Sequence, residues 1–183
     1  MTLLQRVRRL AGLERGYTLL ELLTVMSILS VIVGALITLF MRATNAELDM
    51  NRRFQAQGTA RVAVDRMRRE IHCASQVSPT GTSATITVSV PWQCPTGSGV
   101  NGGPDTSVIY DVVAAGSQRF QLRRNSVKIA DYVTAQNAFD YTAPVAGSSL
   151  GKLRVTLPIN TDPQNGLKEW RLVADMVLRN TTR

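Results

Sequence analysis

The sequence predicts an α+β fold in which one long N-terminal helix packs on an antiparallel sheet, with the first half of the helix suited to lipid. Three observations predict it. Leu22 to Met41 is a run of twenty residues without a charge or a proline. Beyond Arg42 the composition turns polar while apolar residues keep a helical period, and no proline occurs before Pro79. After Pro79 the texture changes to short alternating stretches rich in β-branched residues, separated by loops dense in Gly and Pro.

The apolar run reads LLTVMSILSVIVGALITLFM. About 20 such residues, at roughly 1.5 Å each, span a hydrocarbon core of about 30 Å. Arg6, Arg8, Arg9 and Arg15 precede it, with only Glu14 against them. Basic flanks stay on the cytoplasmic side, so the expected topology has the N-terminus in the cytoplasm and residues 42–183 outside. This is not the layout of a secretory signal peptide, where a small-residue cleavage site follows the apolar region.

The second half of the helix is amphipathic. Ala56, Ala60, Ala63/Val64, Met67 and Ile71 follow three- and four-residue spacing, and most arginines of this stretch take the other faces. Gly58 is its weak point, at about 1 kcal/mol relative to alanine. The expected helix runs from about residue 18 to about residue 74. Residues 84–90, ATITVSV, then read as a strand. Residues 91–105, PWQCPTGSGVNGGPD, read as a loop. Further strands are expected at Ser107–Val113, Arg119–Arg124, Val127–Tyr132, Phe139–Thr142, Lys152–Leu157 and Trp170–Leu178, with a hairpin turn at Arg123-Arg124-Asn125-Ser126 and a loop over 158–168.

The formal net charge is +8. Residues 42–183 hold 17 basic and 11 acidic residues, a net of about +6. Such an excess suits nucleic acid or another polyanion, and equally a solvated surface. Arg119, Arg123, Arg124 and Lys128 on or near one hairpin are the candidate nucleic-acid contacts, although strand alternation scatters them over both faces. Cys73 and Cys94 are the two cysteines. An even count outside the membrane permits a disulfide, the alternative being two buried thiols.

Nothing points to catalysis. The single histidine, His72, adjoins Cys73, but adjacent helical residues do not face each other as a nucleophile and base must. A metal set of His72, Cys73 and Cys94 matches no common spacing. No phosphate-binding glycine pattern stands between a strand and a helix. The expectation is a protein without enzymatic activity, cofactor or metal.

Glu21 is hard to explain in a plain anchor. An ionised carboxylate costs roughly 2.5–3.5 kcal/mol at the centre of a membrane helix and less near its interface. The window Gly16-Tyr17-Thr18-Leu19-Leu20-Glu21, preceded by a basic leader and followed by twenty apolar residues, closely resembles the type III signal of type IV prepilins and pseudopilins. The resemblance implies that a membrane-embedded aspartyl peptidase cuts between Gly16 and Tyr17. The same enzyme would methylate the new amine of Tyr17, drawing on S-adenosylmethionine. It implies that Glu21 neutralises the N-terminal amine of a neighbouring subunit; a buried carboxylate is tolerable when a cation pairs with it. The division that follows is a leader over 1–16, a transmembrane and assembly half-helix over 17–41, and an extracytoplasmic domain over 42–183 with helix 42–74 and sheet 80–180. The implied partners are the prepilin peptidase/methylase, other pilin or pseudopilin subunits and membrane lipid.

Two features depart from the family's commonest pattern. Tyr17 stands where Phe is usual, and the span lacks the proline found in many major pilins, which points away from a major shaft subunit. Arg61-Val-Ala-Val-Asp-Arg-Met-Arg-Arg-Glu-Ile71, Val108-Ile-Tyr-Asp-Val-Val113, Phe120-Gln-Leu-Arg123 and Val177-Leu-Arg-Asn180 resemble, in this order, the minor-pilin and J-type pseudopilin branch. The expected function is therefore a structural or assembly subunit of a type IV pilus or a type II secretion-like filament. The rival readings are a single-pass anchored binding domain whose leader is never cut, and a DNA-binding minor pilin for competence.

Overall fold

The computed structural model describes residues 18–183 apart from 95, 96, 98, 100, 163–165 and 180–183. Helix α1 runs over Leu19–Cys73. The chain divides into two units, one up to Leu48 and one from Asp49 onward. In the first unit the helix buries none of its large apolar side chains.

In the second unit the helical period gives α1 a buried stripe of Ala56, Ala60, Ala63, Val64, Met67 and Ile71. Alanine at three of these six positions keeps that face of the helix thin, so the backbone can approach the sheet closely. The helix stops where the chain is captured by a strand: Ser75 donates its N–H to Ser89 O at 2.9 Å.

Nine strands follow among the described residues: β1 Gln76–Ser78, β2 Gly81–Ser83, β3 Thr85–Val90, β4 Thr106–Gly116, β5 Arg119–Arg124, β6 Val127–Val133, β7 Phe139–Thr142, β8 Lys152–Ile159 and β9 Trp170–Val177. They form one antiparallel sheet in the order β1-β3-β4-β5-β6-β8-β7-β2, with β9 paired to β8 along its whole length. The alternation seen in the sequence becomes alternation of burial, with Ile86, Val88 and Val90 of β3 inward and Thr85, Thr87 and Ser89 outward. Tyr110, Phe139, Leu122 and Leu153 are fully buried in the same core as Met67 and Ile71 of the helix. Burying each such side chain stabilises by about 1.5–3 kcal/mol.

The β5–β6 hairpin turns through Asn125 and Ser126, whose φ values of 47° and 67° are those of a two-residue type I′ turn. Asn125 also ties the turn to β4: its Oδ1 accepts Ile109 N–H and its N–H donates to Ile109 O, both at 2.8 Å.

The structure departs by more than one residue from the expected boundaries in three places. β4 runs on to Gly116 through an irregular register between Ala114 and Gly116. β8 runs on through Pro158, whose carbonyl accepts Thr134 N–H at 2.9 Å, so the loop expected from 158 begins later and contains a 3-10 turn at Gly166–Lys168. β1 and β2 were not expected as strands at all.

One charged side chain is buried among the described residues, and it joins helix to sheet. Glu70 of α1 accepts the Tyr110 hydroxyl at 2.6 Å and pairs with Arg124 at 3.0 Å. Arg66, one turn earlier, stands 3.5 Å from the same carboxylate. Burial pushes the Tyr110 hydroxyl above its usual pKa, and the Glu70 carboxylate it serves adds to the shift.

Candidate functional site

The start of α1 is built as a reciprocal cap. Thr18 stands just before the first helical residue, and Glu21 three positions later. Glu21 Oε2 accepts Thr18 N–H at 3.0 Å and Thr18 Oγ1–H at 3.1 Å, while Thr18 Oγ1 accepts Glu21 N–H at 3.2 Å. This satisfies donors that a helix start leaves without partners, and it places a carboxylate where the helix dipole favours negative charge. Glu21 thus has a local role that the sequence reading did not assign to it. Thr18 is the residue that reading missed, although the Thr-x-x-Glu spacing carried the signal.

From there α1 presents apolar side chains on all sides through Met41. The four hydroxyls of Leu22–Met41 are not left open. Thr24 donates to Glu21 O, Ser27 to Thr24 O, Ser30 to Ser27 O and Thr38 to Gly34 O, at 2.7–2.9 Å. A helix whose side-chain polar groups turn back on its own carbonyls asks nothing of its surroundings, as a lipid environment requires. By length and composition this helix can cross a membrane.

At the other end of the helix, Cys73 and Cys94 are joined by a disulfide with Cα atoms 6.1 Å apart. It fastens the last residue of α1 to the loop between β3 and β4. The His72 ring is engaged by β9, its Nδ1 lying 3.0 Å from Val177 O.

The four cations singled out on the hairpin each meet a carboxylate. Arg119 makes a two-pronged pair with Asp131 at 3.0 and 2.7 Å, and Lys128 reaches the same group at 3.1 Å. Arg123 pairs with Asp111, and Arg124 with Glu70. Burial would raise the Asp131 carboxyl, but bonds from Arg119, Tyr132 N–H and Lys128 outweigh it and hold its pKa at about 2. The hairpin is thus largely charge-compensated rather than a bare cationic face.

The processing residues Gly16 and Tyr17 lie outside the described residues. The residues next to them carry the comparison with known proteins. Residues 13–37 match the family model of the prokaryotic N-terminal methylation motif. The chain carries a type IV prepilin-like signal. The match brackets the Gly16-Tyr17 junction and covers Thr18, Glu21 and most of the apolar run, so the capped start of α1 and the signal are one stretch of chain. No curated protein and no solved structure matches the chain. The prepilin-like signal supports a type IV pilin-like protein, a family of structural rather than enzymatic proteins. It implies processing by a prepilin peptidase and assembly with other pilins.

Proposed function

We propose that this chain is a minor pilin or pseudopilin, a structural or assembly subunit of a type IV pilus or a type II secretion-like filament. The observation that carries the reading is the coincidence, within residues 13–37, of the methylation motif, the capped carboxylate Glu21 and the start of an unpartnered apolar helix. In this reading the leader over 1–16 faces the cytoplasm and is cut off after Gly16. Tyr17 becomes the methylated first residue. The apolar half of α1 holds the subunit in the membrane until assembly, and residues 42–183 fold outside. The Cys73–Cys94 bridge suits that compartment. The absence of a proline from the span favours a minor over a major subunit.

A nucleic-acid-binding role draws little support from the hairpin, because Arg119, Arg123, Arg124 and Lys128 are all engaged by Asp131, Asp111 and Glu70. Phosphate binding there would first have to displace those carboxylates.

Intact mass and N-terminal sequencing of the protein from its native membrane test the proposal. The expected chain begins at N-methylated Tyr17. A chain that still begins at Met1 in cells with an active peptidase would overturn the filament reading in favour of a simple anchored domain.

A further inference from the structure

Beyond the span, three large apolar side chains of α1 in the second unit stand open to water. Met50 is 71% exposed, Phe54 76% and Val62 69%. With Gly58 between Phe54 and Val62 they repeat every four residues and share one face of the helix. A Cβ at Gly58 would meet nothing within 4 Å, so the face carries a notch at its middle. Alongside runs an open cleft between α1 and β6, with Ile129 as its floor. The cleft continues past Gln55 and Thr59 into a hollow of about 250 Å³ bordered by Arg52, Lys128 and Asp131. Lys128, at 3.1 Å, shares the Asp131 carboxylate with Arg119, at 2.7 Å, so this border is net positive. Arg52 has no ion pair among the described residues.

We propose that this cleft docks an acidic amphipathic segment of a different partner subunit, with apolar side chains on Phe54, Val62 and Ile129 and a carboxylate on Arg52. The site is elongated: Arg52 to Val62 is about 15 Å along a helix, close to three turns of a partner helix. The notch at Gly58 lets such a helix approach closely. Charge selects the partner. An apolar ledge beside a net positive border is complementary to an apolar face carrying a carboxylate. A second copy of this chain is a poor occupant, because its own extracytoplasmic part carries about +6 and like charges across an interface oppose docking. Nucleic acid would meet apolar side chains where its phosphates need cations. The proposal rests on the filament reading only for the nature of the partner as a subunit.

The test uses the full chain in nanodiscs of zwitterionic lipid, with a photoreactive phenylalanine analogue in place of Phe54. Three synthetic peptides are offered: a Leu/Glu amphipathic helix, its Leu/Lys counterpart, and a Ser/Glu peptide with no apolar face. Cross-linking to the Leu/Glu peptide is expected to exceed the other two by about tenfold, a difference of about 1.4 kcal/mol. Arg52→Glu is expected to reverse the preference toward the Leu/Lys peptide, and Arg52 is exposed enough for that variant to fold. An unchanged preference in Arg52→Glu would overturn the proposal. So would equal cross-linking to the Ser/Glu peptide, a dominant chain-to-chain adduct, or equal competition by an oligonucleotide of matched charge. The N-terminus separates the two readings. A chain starting at methylated Tyr17 that fails the peptide test loses only the cleft. One starting at Met1 that passes keeps the cleft and loses the filament.

Discussion

Arg124 Nη2 lies 3.0 Å from Glu70 Oε1 and links the β5–β6 hairpin to the closing turns of α1. The Glu70 side chain is 1% exposed. Removing one partner of a buried pair leaves a charge with too little compensation, at a cost of about 3–5 kcal/mol. Arg66 and the Tyr110 hydroxyl remain beside Glu70, so Arg124→Leu is expected to cost about 3 kcal/mol, the low end of that range. Pairing it with Glu70→Gln should cost less than the two single changes together. Urea unfolding of the four proteins measures this. Additivity within about 0.5 kcal/mol would mean that the pair is not coupled.

That link shows where sequence reading stops. The helix expected over 18–74 stands at Leu19–Cys73, and Arg119–Arg124 and Phe139–Thr142 have the strand bounds expected of them. Each of these is written in a local period. β1 and β2 are three-residue strands of Gln, Ser, Thr, Val and Gly with no apolar alternation. They are strands because β3 and β7 offer them edges, which is a tertiary fact. Glu70 and Arg124 are 54 residues apart, and no spacing rule brings them together. The Thr18–Glu21 cap is different: it lies in a four-residue window, and its Thr-x-x-Glu spacing is a local signature that the sequence carries in full.

The disulfide closes a loop from Cys73 to Cys94, a separation of 21 residues. By the chain-entropy argument a loop of this size contributes about 3 kcal/mol. Reduction of the wild-type chain, or Cys94→Ser, should lower its stability by about that amount. Thermal melting with and without reductant measures it, and equal melting temperatures would show that the bridge contributes nothing.

Ser126 holds φ at 67° in the type I′ turn, a conformation that costs a residue with a side chain roughly 1–2 kcal/mol. Glycine adopts it freely but has more freedom to lose from the unfolded chain. The net expectation for Ser126→Gly is a gain of about 0.5–1 kcal/mol, read as a higher urea midpoint with an unchanged slope. A loss would mean that the Ser126 side chain has a role that the turn geometry does not reveal.

Asp131 gives the fold an acid-sensitive component. Its carboxyl titrates at about 2 in the folded chain against an ordinary aspartate value of 3.8. Between those values the unfolded chain binds more protons, so acid favours unfolding. The contribution is whole above about pH 4 and is lost as pH falls toward 2. Asp175 acts in the same direction, its carboxyl lowered by the hydrogen bond from Arg154 and then by that from Lys152. Asp131→Asn should flatten the stability profile between pH 4 and pH 2 and weaken the chain at neutral pH. A variant with an unaltered slope in that window would remove Asp131 from the account.

Glu21 carries two separable properties, a cap and a charge. Its Oε2 holds Thr18 N–H at 3.0 Å, and a glutamine oxygen can accept the same bond. Glu21→Gln therefore keeps the helix start and removes the charge, while Glu21→Ala removes both and costs the helix about 1 kcal/mol at its first turn. If the carboxylate serves to neutralise the amine of a neighbouring subunit, both variants should insert into the membrane and both should be poorly incorporated into filaments. If it serves only as a cap, the Gln variant should be incorporated like the wild type and the Ala variant should fail. Immunoblotting of sheared filaments against the membrane fraction reads the two outcomes directly. Thr18→Ala completes the comparison: it removes one side of the cap and leaves the charge, so on the neutralising role its incorporation should stay near that of the wild type.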